Sequence, residues 1–153
     1  MIAQNQSVIA QVNGNESYID GTADEAIDPG RGVVWYENAD GEKQVKLAGD
    51  GAASKRVARE QRNPPQSLGQ IGDSPLDDGT DAGNNCETVG FRRFDRARLR
   101  HDGNIATPAN FEDAEVGWDA NGYITDSPTT AIGRGIRVID RESGDDFVVV
   151  EFY

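Results

Sequence analysis

The amino-acid sequence predicts an all-β fold, a small Gly-rich β-barrel or sandwich with an extended N-terminal arm and one long irregular excursion. Three observations predict it. Short runs of β-branched and aromatic residues recur along the chain. Between them lie tight-turn pairs, Asp40-Gly41, Asp50-Gly51, Asp102-Gly103, Asn121-Gly122 and Ser143-Gly144, whose Gly and Asn tolerate the positive φ of hairpin turns. And no segment carries a sustained helical period with start and stop signals; the best helical stretch is the short one from Gly51 to Arg62.

Taken in order, residues 1–28 read as the arm. They are rich in Gln, Asn and Ser, and residues 1–30 carry five acids and no base. Their apolar residues, Ile2, Val8, Ile9, Val12, Tyr18 and Ile19, are too scattered to offset the cost of ordering the backbone alone, so the segment is expected to lie along a partner. Residues 29–153 form a single β-rich body. Its strands are expected over Gly32 to Glu37, Gln44 to Leu47, Glu87 to Phe91, Arg96 to Arg100, Gly122 to Thr125, Ala131 to Ile139 and Phe147 to Tyr153. Residues 63–85, with Pro64, Pro65 and Pro75, read as the irregular excursion, and loops of that length usually serve a function or a partner. The last strand is apolar on both faces, Phe147 and Val149 on one, Val148, Val150 and Phe152 on the other. It therefore belongs either at the centre of a sheet or in a subunit interface.

The chain has 153 residues, 27 acidic and 15 basic, for a net charge of -12. Nucleic acid is a poor partner for that balance, because its affinity comes mainly from Lys and Arg on phosphates. No apolar run is long enough for a membrane-spanning helix, and the first basic residue is Arg31, which argues against a secretory leader with a basic start. One cysteine, Cys86, leaves no internal disulfide. The choice of charges is more telling than their sum: 17 Asp to 10 Glu, and 12 Arg to 3 Lys. A dense carboxylate surface with few lysines suits a solvent in which salt screens repulsion to a Debye length of about 3 Å at 1 M.

Catalytic chemistry is sparsely supplied. His101 is the single histidine, and Cys86 has no base beside it in sequence, so neither forms a recognisable nucleophile–base pair and no enzyme is expected. Asp77 to Asn84 concentrates oxygen ligands suited to a hard cation but lacks an EF-hand pattern, and neither metal nor cofactor is assigned. The most unusual segment is Phe91 to Arg100, where Arg92, Arg93, Arg96, Arg98 and Arg100 fall within nine positions. If extended, it points Ala97 and Leu99 inward and an Arg strip outward, and Arg is the residue of choice for fixed pairs with carboxylates. The strip reads as an assembly surface, with pairing to the protein's own acids as the alternative.

Several residues in order then carry a resemblance. They are Ile27-Asp28-Pro29-Gly30 before a strand, Gly49-Asp50-Gly51 with Ala52-Ala53, Arg56-Val57-Ala58-Arg59-Glu60 with Pro64-Pro65 behind it, Glu87-Thr88-Val89-Gly90-Phe91, and Thr130-Ala131-Ile132-Gly133-Arg134. The pattern resembles small head-decoration (capsid cement) proteins of tailed viruses, and the acidic bias suggests a virus of halophilic archaea. The resemblance implies a β-rich body, commonly a homotrimer, on the outer capsid surface of the virion. There it binds the major capsid protein and holds its subunits together, aided by an N-terminal arm and without cofactor, nucleic acid or membrane. On that reading the contacts are the apolar residues of the arm, the Arg92–Arg100 strip and Val148, Val150 and Phe152. The alternatives are a connector between head and tail, or an exposed turret or tail module binding host glycan through Trp35, Tyr36, Trp118 and Tyr123. Salt adaptation has a direct test: the melting temperature is expected to rise as KCl is raised towards molar concentration, and a flat or falling curve contradicts it.

Overall fold

The structure is a computed structural model and describes residues 7–60, 75–106, 108–139 and 146–153. Eleven strands carry the fold: β1 (Ile9–Gln11), β2 (Ser17–Ala23), β3 (Gly32–Glu37), β4 (Lys43–Leu47), β5 (Arg56–Ala58), β6 (Asn85–Gly90), β7 (Arg96–Arg100), β8 (Glu115–Trp118), β9 (Ile124–Thr125), β10 (Gly133–Ile139) and β11 (Phe147–Phe152). Two short 3-10 helices, Pro75–Asp77 and Pro108–Asn110, complete the described elements. The all-β expectation is met. Five strands close a barrel in the order β2-β4-β3-β5-β6, and six form a sheet in the order β1-β7-β11-β10-β8-β9. Turn chemistry follows the sequence: Gly41, Gly51, Gly103 and Gly122 all adopt positive φ. The Ser143-Gly144 pair lies outside the described residues.

Two cores follow from strand alternation. Inside the barrel, Ala23, Ile27, Val33, Val45, Ala58 and Cys86 form a small cluster. The larger core lies where barrel meets sheet, and it joins Val57 and Val89 of the barrel to Leu99, Trp118, Val148 and Phe152 of the sheet. Trp118 is the main fastener. Its ring lies so close to Gly32 that a Cβ there would stand 2.4 Å from it, and its Nε1–H donates to the Ser54 carbonyl at 2.8 Å. Nearby, Phe91 stacks on Phe152 with ring centroids 4.9 Å apart. Arg100 makes a second tie: it is 3% exposed, and its guanidinium donates to the carbonyls of Pro29 (3.0 Å) and Leu76.

Four expectations differ from what the structure shows. Residues 7–28 are part of the body, not an arm. β2 is a wall of the barrel, paired with β6 from Ser17 to Thr22, and β1 pairs with β7. Val8 is fully buried, while Ile9, Val12 and Tyr18 pack against the larger core; Ile19 is half-buried opposite Thr88. Ile2 lies outside the described residues. Second, the stretch expected to be helical carries β5, because Val57 and Ala58 face opposite sides of the barrel wall and each is needed in a different core. Third, residues 63–74 of the excursion lie outside the described residues, and its described end, though irregular as expected, is attached to the body: Leu76 is buried, and Thr80 exchanges both backbone hydrogen bonds with Ile27 at 2.8 and 2.9 Å. Fourth, of the two places read for the last strand the structure takes the centre of a sheet, with β11 between β10 and β7, so the expected contact role of its apolar residues is not met. Its two apolar faces are therefore spent within the chain, and Val148, Val150 and Phe152 offer no outward contact.

The closeness of Gly32 to Trp118 gives a direct test. Gly32→Ala is expected to lose about 1–3 kcal/mol or more in urea unfolding, since the added methyl overlaps an aromatic ring in a full core. Gly49→Ala, where a methyl meets nothing within 4 Å, serves as the control and stays close to wild type.

Candidate functional site

The arginine-rich segment divides in two. Arg96, Arg98 and Arg100 on β7 are not an exposed strip, because each is engaged within the chain. Arg96 Nε donates to Glu151 Oε2 at 3.0 Å, and Arg134 reaches the other oxygen at 3.2 Å. Burial pushes the Glu151 carboxyl up, but the hydrogen bonds from Arg96 and then Arg134 outweigh it and leave it below the ordinary carboxylate value. Arg98 Nη1 donates to the carbonyls of Ser7 (3.0 Å) and Ile9 (2.9 Å), so it is covered by the N-terminal segment. Arg100 is the buried tie between barrel and sheet, with Phe147 4.8 Å beneath it. Ala97 and Leu99 do face inward, as alternation predicts.

Arg92 and Arg93, two of the expected contact residues, are exposed, and beside them stands Phe94, which the sequence did not mark as a contact. Phe94 is 57% exposed and has φ 73°, a left-handed conformation that is strained for a bulky residue. Asp95, buried, holds the turn in that shape. Its Oδ2 accepts from the Arg92 N–H at 2.7 Å, its Oδ1 from the Asn13 N–H at 2.8 Å, and its carbonyl from the Phe152 N–H at 2.9 Å. Phe94 N–H itself donates to the Phe152 carbonyl at 2.9 Å. The Arg93 guanidinium lies 4.8 Å from the Phe94 ring centre. The result is a braced turn that thrusts an aromatic ring and two guanidinium groups into solvent. Aromatic and Arg side chains of this kind are the usual anchors of protein interfaces.

The β1 segment is held as firmly. Glu60, buried, accepts from the Val8 N–H at 2.8 Å and the Ser7 hydroxyl at 3.1 Å, and pairs with Arg59 at 2.8 Å. Neither Glu60 nor Asp95 carried a sequence signal for these clamps, because the N-terminal backbone groups they hold, Val8 and Asn13, lie 52 and 82 positions away.

The remaining candidates disperse. Trp35 stands at the barrel rim, Trp118 is in the core, Tyr36 donates to Asp24 Oδ2 at 2.9 Å, and Tyr123 lies under Arg31 at 4.2 Å; they form no shared platform. Among the described residues no three His, Cys, Asp or Glu side chains gather to hold a metal ion. Cys86 lines the inside of the barrel, while His101 follows β7 in the other sheet. Burial pushes the Cys86 thiol up to about 11, with the Thr80 hydrogen bond pulling slightly the other way, so it stays protonated at neutral pH.

No family model matches the sequence, and no curated protein matches it. Among solved structures the fold is similar to the head fiber gp8.5 N base in bacteriophage phi29, with a TM-score of 0.55 at 10% identity, over 91% of this chain and 95% of that one. At that identity the likeness concerns the fold.

The raised thiol makes stability depend on pH in a defined direction. The unfolded thiol ionises near 9.0 and the native one near 11, so the native state binds its proton more tightly. Its contribution is intact below about 9 and is lost as pH climbs towards 11. Urea melts across that range are expected to show wild type losing stability relative to Cys86→Ala; parallel curves contradict the burial of the thiol.

Proposed function

We propose that this chain is a structural virion protein that decorates the outside of an icosahedral capsid and bridges its major capsid subunits. The observation that carries the reading is the fold likeness to a head fiber base, which spans nearly the whole of both chains. The order of residues that resembles capsid cement proteins supports it independently. The contact surface is the braced turn of Arg92, Arg93 and Phe94, where an exposed aromatic sits on a left-handed backbone held by the hydrogen bonds of Asp95. Its mechanism is linkage without catalysis: a protein that binds only the assembled lattice stabilises that lattice by its binding free energy. Symmetry repeats each contact, so modest affinity per copy suffices, and a homotrimer multiplies it further. The acidic surface fits a salt-rich environment such as that of a haloarchaeal virus.

Purified particles test the reading by copy number: hundreds per capsid fit a shell protein, and a dozen or fewer fit a connector or tail part instead. Phe94→Ala is expected to weaken capsid binding by about tenfold or more, the usual effect of truncating an interface anchor, with the fold intact. Full occupancy by Phe94→Ala and by the double variant Arg92→Ala, Arg93→Ala contradicts the assigned surface.

A further inference from the structure

A cavity of about 350 Å³ opens at the mouth of the barrel, on the Val33, Trp35 and Arg56 end of its wall, with Lys55, Gly90 and Phe91 beside them. Register places Arg56 opposite both Val33 and Gly90, on the barrel's inner face. Its guanidinium lies across Gly90, where a Cβ would stand 2.7 Å from it, so the glycine makes room for the charge. The guanidinium donates only to neutral oxygens: the Ser17 carbonyl (3.4 Å), the Thr88 hydroxyl (3.2 Å) and the Ser17 hydroxyl (3.4 Å).

Among the described residues no carboxylate pairs with Arg56, although the chain carries 27 of them, and Arg31, Arg59, Arg96 and Arg134 each have at least one. Burial pushes the Arg56 pKa down from the ordinary arginine value. A half-buried cation that lines an open cavity and has no carboxylate of the described residues on it presents a positive charge with which a ligand's anionic group can pair. Lys55 is beside it; its ammonium donates to the Tyr153 carbonyl and has further donors to offer. Trp35, 38% exposed, supplies an indole at the rim.

We propose that the barrel mouth binds an acidic saccharide, a uronate whose carboxylate pairs with Arg56 and Lys55 and whose ring lies against Trp35. The size suits one or two sugar rings, at the small end of ligand pockets. A saccharide fits better than an acidic peptide strand. The barrel is closed, so no strand edge is free at this mouth to receive a peptide backbone, whereas a sugar needs only a ring face and a charge. This inference is independent of the capsid reading, since it uses none of the Arg92–Phe94 turn.

Calorimetric titration with trigalacturonate tests it, with neutral maltotriose and hexaglutamate as controls. The expected result is saturable binding of trigalacturonate that weakens as salt rises, with at least tenfold weaker binding of both controls. Trp35→Ala, Lys55→Ala and Arg56→Gln are each expected to weaken trigalacturonate by about tenfold. Because Arg56 also braces β2 and β6, the two rim variants carry the test if Arg56→Gln does not fold. Absence of saturable binding, equal binding of maltotriose, tighter binding of hexaglutamate, or rim variants that bind like wild type would each overturn the proposal.

Discussion

The architecture depends on one joint, the seating of Trp118 against the backbone of Gly32. A five-stranded barrel and a six-stranded sheet each bury too little alone, and the large core exists only where they meet. Trp118 brings a wide apolar surface to that meeting and satisfies its own N–H on Ser54, so the ring is fixed in orientation as well as in place. Gly32 is the counterpart: it lets β3 approach to ring contact and still accepts in the turn network, its carbonyl receiving the Ala48 N–H at 2.8 Å. The Phe91–Phe152 stack and the Arg100 tie act on the same interface from other strands.

Around that joint, charge is used as mortar. Glu60 clamps β1, Asp95 braces the Phe94 turn, Glu151 gathers Arg96 and Arg134, and Arg100 collects loop carbonyls. Each buried or half-buried charge has partners distant in sequence, and that is what makes such a network specify one arrangement. It also separates the arginines by role. Those on β7 hold the molecule together, and those in the turn before it face outward with Phe94. The structure thus divides one dense segment between cohesion and contact, while Arg56 at the barrel mouth lies outside that segment and belongs to neither.

Much of the fold was legible. β3, β4, β7, β10 and β11 announce themselves through alternation and flanking turns, and the two apolar faces of β11 correctly pointed to a strand covered on both sides. β2 escaped notice for a physical reason. Opposite Val45 the barrel leaves no room for a side chain, since a Cβ on Gly21 would stand 2.8 Å from it, so β2 lacks the usual stripe of large apolar side chains. β5 is hidden similarly, since its inward position is the polar Arg56. The site was less legible than the fold. An Arg on a strand looks alike whether its acceptor is solvent or a carbonyl 91 positions away, as for Arg98 and Ser7. Nor does a Phe in sequence signal that its backbone is left-handed; that follows from the grip of Asp95.

The central position of β11 also governs how the chain assembles during synthesis. The barrel uses one continuous stretch from β2 to β6, so every one of its strand pairings is available before β7 emerges, although its outer face still awaits the sheet. The sheet cannot close in that way. β7 and β10 stay apart until the eleventh strand slides between them, and until then both expose unpaired backbone. The hazardous interval for a nascent molecule therefore falls after β10 has emerged, when a neighbouring chain's last strand fits the open gap as well as its own.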